Sequence, residues 1–247
     1  MAAVNGQLGA LLRLYFVQGA WNYERMLGVG MGHAADPLLA ELARTDPERH
    51  RAAVVRSAEF FNSHPYLAGV ALGASVRAEY DGVSGDQITR LRRALCSPLG
   101  SLGDQVFWAG LVPAAVGATA AAVALTNAWW PVLLLLAVFN AVRAYTGVWA
   151  LRTGLGNGMK VGAAINASSL GRLAAPAAVA AGFMVGMGGA LAVGWLADPF
   201  GWRAVVGVAG VAAAGLAVNR LAGPRYAAPR FALVALVATF LFRWVTG

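Results

Sequence analysis

Polar and apolar positions divide this chain into two parts with different patterns. Residues 1–104 alternate short amphipathic stretches with turns, and the remainder consists of long apolar runs with short polar breaks. In the first part, two Asp-Pro pairs beginning at Asp36 and Asp46 each predict a helix start. Aspartate accepts hydrogen bonds from first-turn amides, and proline fits the first helical position. The helix predicted after Asp46 ends at Asn62, because Pro65 disfavours helical backbone in the residue before it.

The length of each following apolar run predicts how it relates to a bilayer. Residues 66–78 form a run shorter than the ~20 residues of a full span, which predicts half a span or a re-entrant helix. Residues 87–95 are basic, which predicts a helix lying at the membrane interface. Beyond them, longer apolar runs predict about five transmembrane helices. These lie near residues 106–125, 129–148, 174–197, 203–221 and 229–246.

Composition agrees with a membrane protein. Apolar residues make up 59% of the 247 positions and charged residues only 12%, whereas soluble domains have an apolar share of about 45–50%. The sequence therefore predicts an all-α integral membrane protein with amphipathic N-terminal helices, a broken or re-entrant region and a transmembrane bundle. We expect two regions in one functional unit: residues 1–104, which carry polar motifs, and residues 105–247, which form the bundle.

The distribution of charge predicts an orientation. Residues 1–104 hold ten basic and ten acidic residues, whereas residues 105–247 hold nine basic residues and one acid, Asp198. Cations between apolar runs follow the positive-inside pattern, which argues against a nucleic-acid-binding face. Basic clusters fall in alternate loops, and those loops are thereby predicted to be cytoplasmic. One lies between the fourth and fifth spans, with Arg220, Arg225 and Arg230, and the other lies between the second and third spans. Its cations are Arg143, Arg152, Lys160 and Arg172.

The same pattern places the N-terminus in the cytoplasm and the C-terminus outside. The opening residues contain no clear signal-peptide cleavage site, which agrees with a cytoplasmic N-terminus. Tryptophans gather at the predicted outer surface, as expected of an interfacial belt. They are Trp129, Trp130, Trp195, Trp202 and Trp244. Glycines at 182, 186 and 189 are predicted to allow close packing between helices.

Few residues suggest catalysis. His33, His50 and His64, together with Cys96, match no metal-ligand spacing, and no nucleotide-binding motif is present. We therefore expect no metal, no cofactor and no catalytic residue belonging to this chain itself.

Three stretches are too polar for their setting: residues 18–26, 59–69 and 96–113. Each places an amide or a carboxylate beside aromatic rings at the edge of an apolar segment. Amides and carboxylates bind sugar hydroxyls, and flat rings pack on sugar C–H faces, so the combination is typical of sugar binding. Interrupted helices bring such groups to membrane depth in transporters. The substrate-binding candidates are Asn22, Glu24, Asn62, Asp104, Trp21, Phe61 and Trp108.

Each candidate also has an alternative interpretation that needs no substrate. Asp104 suits the N-cap of a helix starting at Gln105, and Asn62 suits the C-terminal carbonyls of its own helix. Glu24 suits an ordinary interfacial charge, and the two tryptophans suit interface anchors. Taken singly, none of these residues identifies a sugar site.

Taken together and in order, the stretches WNYERM, EFFNSHPYLAG and SPLGSLGDQVFW resemble the IID component of the mannose/fructose/sorbose-type phosphotransferase system (PTS). The run FNAVRAYTGVWALRTG, at residues 139–154, also resembles that family. The resemblance covers nearly the whole chain in order and is strongest before about residue 160.

The resemblance implies a sugar-permease subunit (EIID) of the bacterial inner membrane. It implies a IIC partner that completes the path for a hexose, higher oligomers of IIC–IID pairs, and cytoplasmic IIA and IIB proteins that phosphorylate the arriving sugar. Two other interpretations stay open at this stage: a stand-alone secondary transporter or channel, and a regulatory or scaffold subunit of a reduced phosphotransferase system.

Overall fold

A computed structural model describes residues 4–197 and Gly210, and within this range every regular element is a helix. The α-helices are α1 (Gln7–Tyr15), α2 (Gly28–Leu39), α3 (Leu42–Thr45), α4 (Pro47–Ser57), α5 (Ala68–Tyr80), α6 (Gly85–Gly103), α7 (Val112–Thr126), α8 (Trp130–Asn157), α9 (Val161–Ala167) and α10 (Leu170–Ala197). A π-helical segment, Asp104–Leu111, joins α6 to α7, and a 3-10 turn, Gly158–Lys160, joins α8 to α9. The predicted spans near 203–221 and 229–246 lie outside the described residues.

Three helical columns in the described part of the chain are long and apolar enough to cross a membrane. They are Gly85–Thr126 with 42 residues, Trp130–Ala167 with 38 and Leu170–Trp195 with 26. The first three predicted spans are therefore confirmed. At 1.5 Å per residue, the first two columns measure roughly 60 Å, about twice the ~30 Å hydrocarbon core. A large part of each column must project beyond the bilayer.

Charge identifies the projecting ends. Arg90 and Arg93 are exposed near the start of the first column, and Arg152 and Lys160 are exposed in the far half of the second. The short turn at residues 127–129 makes the two columns antiparallel neighbours, so both charged ends lie on one side. The interfacial helix predicted over residues 87–95 is thus wrong as a separate element, because this segment continues into the first column and buries one face in the protein.

Helices α1–α5 pack around the projecting ends. Every residue of α5 from Ala68 to Glu79 is buried, so this short apolar helix is covered by protein on all sides. Its closest neighbour is α8: a Cβ added to Gly73 would overlap the Leu155 backbone, and one added to Gly154 would overlap the Val70 carbonyl. The two glycines therefore allow the backbones of α5 and α8 to touch.

Of the two helix starts predicted from Asp-Pro pairs, one is confirmed and one is wrong. Asp46 caps α4 as predicted, its Oδ1 accepting from the Arg49 amide at 2.9 Å. Pro37, in contrast, lies inside α2, so no helix starts there. Proline lacks the N–H that would bond the His33 carbonyl. Arg13 supplies that donor instead, at 2.8 Å, and the same Nη1 lies 2.8 Å from Asp36 Oδ2.

Among the described residues, the close contact between membrane helices is made by glycines other than those predicted. A Cβ added to Gly182, Gly186 or Gly189 would meet no atom within 4 Å in the described part of the chain, so packing at these three glycines stays a prediction. Gly117 of α7 and Gly188 of α10 make the close contact, since a Cβ on either would overlap the opposite backbone. On α10 the contact is therefore made by Gly188 and not by its neighbour Gly189, and only the angle at which the two helices cross decides between them.

Candidate functional site

Backbone pairing joins the first and second polar stretches. The Leu27 amide donates to the Phe61 carbonyl at 2.9 Å, and the Phe61 amide donates to the Arg25 carbonyl at 3.2 Å. Met26, between the two partners, adopts a left-handed backbone with φ of 52°. The two turns, residues 16–27 and 58–67, therefore form a single unit, which we call the paired turns.

The second stretch leaves its helix earlier than predicted. Helix α4 ends at Ser57, not at Asn62. The chain after Ser57 turns to pair with residues 25–27, and this tertiary contact competes with further helix. Asn62 lies beyond the helix end, which removes its alternative interpretation as a group bonded to the last helical carbonyls. Its side chain is exposed.

Asn22 builds the first of the paired turns. Its Oδ1 accepts from the Glu24 amide at 3.1 Å and from the Arg25 amide at 2.8 Å, and its Nδ2 donates to the Ala20 carbonyl at 3.2 Å. The amide side chain is thus engaged within its own turn. Such an asparagine fixes the positions of its neighbours and has limited capacity left for a ligand.

Trp21 and Glu24 project from that turn. The Trp21 ring packs edge-on against Tyr23 with centroids 4.8 Å apart. The Glu24 side chain is 85% exposed and lies 3.8 Å from Arg25, which is also exposed. Screening by solvent makes such a pair weak, so Glu24 is an available carboxylate.

An aromatic cluster joins the second stretch to the third. The His64 ring stacks on Phe107 with centroids 5.0 Å apart, lies 5.2 Å from Trp108 and meets Tyr66 edge-on at 4.8 Å. Gly103 makes room for it, since a Cβ there would overlap the His64 side chain. Phe107 and Trp108 come from the π-helical segment, whose wider turn changes the direction of side chains relative to an α-helix.

His64 is 1% exposed, and burial lowers the pKa of its imidazole to about 4. The ring is therefore neutral at physiological pH. Its Nδ1 accepts from the Tyr66 amide at 3.3 Å, and its buried Nε2 has no partner in the described part of the chain. Nothing in the local sequence singles out His64, because Phe107 and Trp108, the rings on which it packs, are distant along the chain.

The third stretch is not interrupted as predicted. The helix continues through Asp104, so this residue is not an N-cap and that alternative interpretation does not hold. Asp104 is exposed, and Trp108 is 48% exposed. Phe61, by contrast, is fully buried beneath the Arg92 guanidinium, which lies 5.3 Å from its ring centroid. In this position Phe61 supports the turn and is not an open wall of a site.

The structure therefore brings the three predicted stretches together, but it leaves Asn62, Glu24 and Asp104 on the surface of the single chain. Arg143, which the sequence assigned to a cytoplasmic loop, instead lies within α8. Its guanidinium donates to the Tyr15 carbonyl at 2.7 Å, immediately before the first of the paired turns.

A large cavity lies beside this region and has a different character. It has a volume of about 500 Å³, is bounded by the π-helical segment, α8 and the start of α10, and has a mostly apolar lining. Val106, Phe107, Trp149 and Leu173 are among its walls. Such a surface suits hydrocarbon and offers few partners for hydroxyl groups. The exposed polar groups of the paired turns and Asp104 are the better match for a polyol.

Comparisons with known proteins agree with this picture. Residues 7–196 match the family model for the "PTS system mannose/fructose/sorbose family IID component". The mannose-specific EIID component of Escherichia coli K12 is 29% identical over 183 residues, which cover 72% of this chain and 64% of that protein. The fructose permease IID component of Bacillus subtilis 168 is 28% identical over 155 residues, covering 61% and 56%. The match thus spans less than two thirds of these relatives.

Two solved structures share the fold. One, described as a membrane protein, has a TM-score of 0.64 and 28% identity, covering 73% of this chain and 68% of that chain. The other, a complex of the mannose transporter ManYZ with microcin E492, has a TM-score of 0.57 and 27% identity, covering 75% and 69%. The predicted all-helical membrane fold is confirmed.

Proposed function

Since this chain belongs to the mannose/fructose/sorbose family of phosphotransferase-system IID components, as its three polar stretches indicated, we propose that it is the IID subunit of a sugar permease. It would carry a hexose across the bacterial inner membrane together with a IIC subunit, and IIA and IIB phosphocarriers would phosphorylate the sugar on arrival. The convergence of the three stretches carries the proposal: backbone bonds pair the first with the second, and His64 packs the second against the third.

We propose that the exposed groups face the IIC subunit and share the sugar with it. Glu24, Asn62 and Asp104 would accept or donate hydrogen bonds to hydroxyls, and Trp21 and Trp108 would pack on C–H faces. Asn22 and Phe61 would not contact the sugar and would instead stabilise the paired turns that carry the binding groups. A surface that lies open in one chain and carries ready acceptors and rings is suited to a site completed by a partner.

The two predicted regions would work as one unit during transport. The helix that carries Asp104 is continuous from Gly85 to Thr126, so it links residues 1–104 to the bundle mechanically. We expect a rocking or elevator-like movement of this helix together with the paired turns. The N-terminus would be cytoplasmic and the C-terminus outside, with IIC–IID pairs forming a larger oligomer.

The proposal is tested by sugar uptake in a bacterial strain that lacks its own mannose-family permease and expresses this chain with a IIC subunit. Asp104→Asn and Asn62→Ala are each expected to lower uptake about tenfold or more, the effect of losing a hydrogen bond of about 1.5 kcal/mol. Asp86→Asn and Asn166→Ala are the matched controls, because Asp86 is exposed on the same helix and Asn166 is an exposed asparagine elsewhere.

Co-purification with the IIC subunit separates binding from assembly. The proposal requires that the complex of each variant stays intact. Normal uptake by Asp104→Asn would contradict a role in sugar binding, and loss of the complex would assign Asp104 to subunit assembly instead.

A further inference from the structure

Two arginines on the long helices hold the ends of two short helices. Arg92 projects from α6 and is 2% exposed, and Arg143 projects from α8 and is partly buried. In the described part of the chain neither forms an ion pair with a carboxylate. The Glu59 carboxylate stabilises the charge of Arg92 without pairing directly with it. Burying a guanidinium without a directly paired carboxylate is still costly, so the other contacts that each arginine makes must offset part of that cost.

Arg143 caps α1. Its Nη2 donates to the carbonyl of Tyr15, the last residue of α1, at 2.7 Å. The guanidinium carbon also lies 5.4 Å from the Tyr15 ring centroid and 5.5 Å from that of Tyr66. The charge therefore sits at the negative end of the helix dipole and on two aromatic faces. Tyr15 returns a bond from its hydroxyl to the Ala144 carbonyl, at 3.3 Å.

Arg92 does the same for α4. Its Nη2 donates to the carbonyl of Ser57, the last residue of α4, at 3.1 Å, and to the Glu59 carbonyl at 3.3 Å. Its guanidinium lies over the Phe61 ring. The Ser57 carbonyl immediately precedes the second of the paired turns, and the Glu59 carbonyl and the Phe61 ring lie within that turn.

The two arrangements share one design. Each arginine comes from a long membrane column, each binds the final carbonyl of a short helix, and each rests on an aromatic ring of the paired turns or of their immediate neighbours. Each of the two final helical carbonyls immediately precedes one of the paired turns, which are joined to each other through Met26 and Phe61. A shift of either column would therefore pull on the turn that follows its arginine.

We propose that Arg92 and Arg143 are positioning residues that fix the paired turns to the two long columns and transmit movement of those columns to the turns. The consequence for the sugar rests on the function proposed above. The positioning role itself does not rest on that function, because the backbone hydrogen bonds that it concerns are measurable without transport.

The first measurement is amide hydrogen exchange of the purified protein in its complex with the IIC subunit. Arg92→Met and Arg92→Lys are compared with Arg93→Met, an exposed arginine on the same helix. Arg143→Met and Arg143→Lys are compared with Arg152→Met, exposed on α8. The expected result is exchange about tenfold faster at the Leu27 and Phe61 amides in the Arg92 variants, as loss of one charged hydrogen bond gives.

In the Arg143 variants the same acceleration is expected at two amides just after α1: that of Val17, which donates to the Leu14 carbonyl of α1, and that of Gly19, which donates to the Phe16 carbonyl. The lysine variants should lie between the wild type and the methionine variants. Lysine keeps the charge but donates from a single point and cannot lie flat on a ring. If a methionine variant does not accumulate, the lysine variant still gives a measurable result.

The second measurement is the concentration dependence of sugar uptake. Misplaced binding groups should raise KM about tenfold with little change in maximal rate, and lysine should partly rescue the loss. Unchanged exchange at the named amides, or equal acceleration throughout the protein, would overturn the positioning role. Local acceleration with no uptake even in the wild type would instead overturn the proposed function and leave the positioning role supported.

Discussion

At the scale of single residues, the candidate site depends on two residues that position their neighbours and are not themselves candidates for binding sugar. Met26 takes a left-handed backbone between two hydrogen bonds that pair the turns. His64 fills the space between the second stretch and the third and stays neutral because it is buried. Both residues are predicted to affect stability in a way that separates them from ordinary surface residues.

Met26 is the clearest case of backbone strain. A β-branched residue tolerates positive φ poorly, so Met26→Val should destabilise the protein by about 1–2 kcal/mol, and Met26→Gly should be close to neutral or slightly stabilising. Thermal unfolding in detergent measures both variants. Met159→Val, at an exposed methionine without positive φ, is the control. Equal stability of Met26→Val and the control would refute the strained conformation.

His64 should make stability depend on pH. Its folded pKa of about 4 is below the unfolded value of about 6.5, so the unfolded state takes up the proton first. Stability from this residue is present above pH 6.5 and is lost as pH falls from about 6.5 to about 4.

His64→Phe removes the titrating group and keeps a ring in the cluster. Its unfolding temperature in detergent should fall less than that of the wild type between pH 6.5 and 4, even if it starts lower. His33→Phe, at an exposed histidine, should retain the wild-type slope. Parallel pH curves for the wild type and His64→Phe would show that the imidazole is solvated.

At the scale of elements, helix boundaries follow tertiary contacts more closely than local signals. Helix α4 ends at Ser57, whose carbonyl accepts a hydrogen bond from Arg92. Helix α2 continues through Pro37 because Arg13 donates to the His33 carbonyl, which proline leaves without a donor. The helix that begins as α6 continues through Asp104. Glycine acts at this scale too, because the backbones of α5 and α8 approach closely at Gly73 and Gly154, where side chains are absent.

Gly154 and Gly156 offer a matched pair on α8. A Cβ at Gly154 would overlap the Val70 carbonyl, whereas one at Gly156 would meet no atom within 4 Å. Gly154→Ala should therefore destabilise the protein by about 1–3 kcal/mol through overpacking. Gly156→Ala should stabilise by up to about 1 kcal/mol through helix propensity. Denaturation in detergent measures the change in the free energy of unfolding for each variant. Equal changes for the two substitutions would contradict the close packing of α5 on α8.

At the scale of the whole molecule, the described part of the chain has a well-packed cap and an apolar membrane surface that these residues do not cover. Helices α1–α5 enclose the projecting ends of the two long columns, while α8 exposes large apolar side chains along its first half. Among them are Leu133, Leu134, Leu136 and Val138. Within the described residues this surface is open to lipid or further protein, and the proposed site is open on one side as well.

Binding of a IIC subunit should therefore stabilise the chain. A partner that binds only the folded form raises stability by RT ln(1 + [L]/Kd), about 2.7 kcal/mol at a hundredfold excess over Kd. The unfolding temperature of the purified chain should rise when the IIC subunit is added, and rise again with sugar. An unrelated membrane protein is the control. A chain that transports sugar alone, with no stabilisation by IIC, would contradict the shared site.

Much of the candidate site could be proposed from the sequence because it consists of short ordered motifs. The three polar stretches and their amides, carboxylates and rings were found from local composition, and the family was recognised from their order. His64, Arg92 and Arg143 were not, since nothing local distinguishes a buried histidine or arginine from an exposed one. What distinguishes them is their contacts with Phe107, Ser57 and Tyr15, respectively, which lie between about 30 and 130 residues away along the chain.

The sequence alone determined the class of this protein, its first three spans and the chemistry of its polar stretches. Each follows from hydrophobicity summed over a local window or from residue types side by side. The tertiary structure decided where helices end, which glycines touch and which charges are buried. Those outcomes depend on competition among distant groups for the same backbone carbonyls and the same space, and no local window contains both competitors.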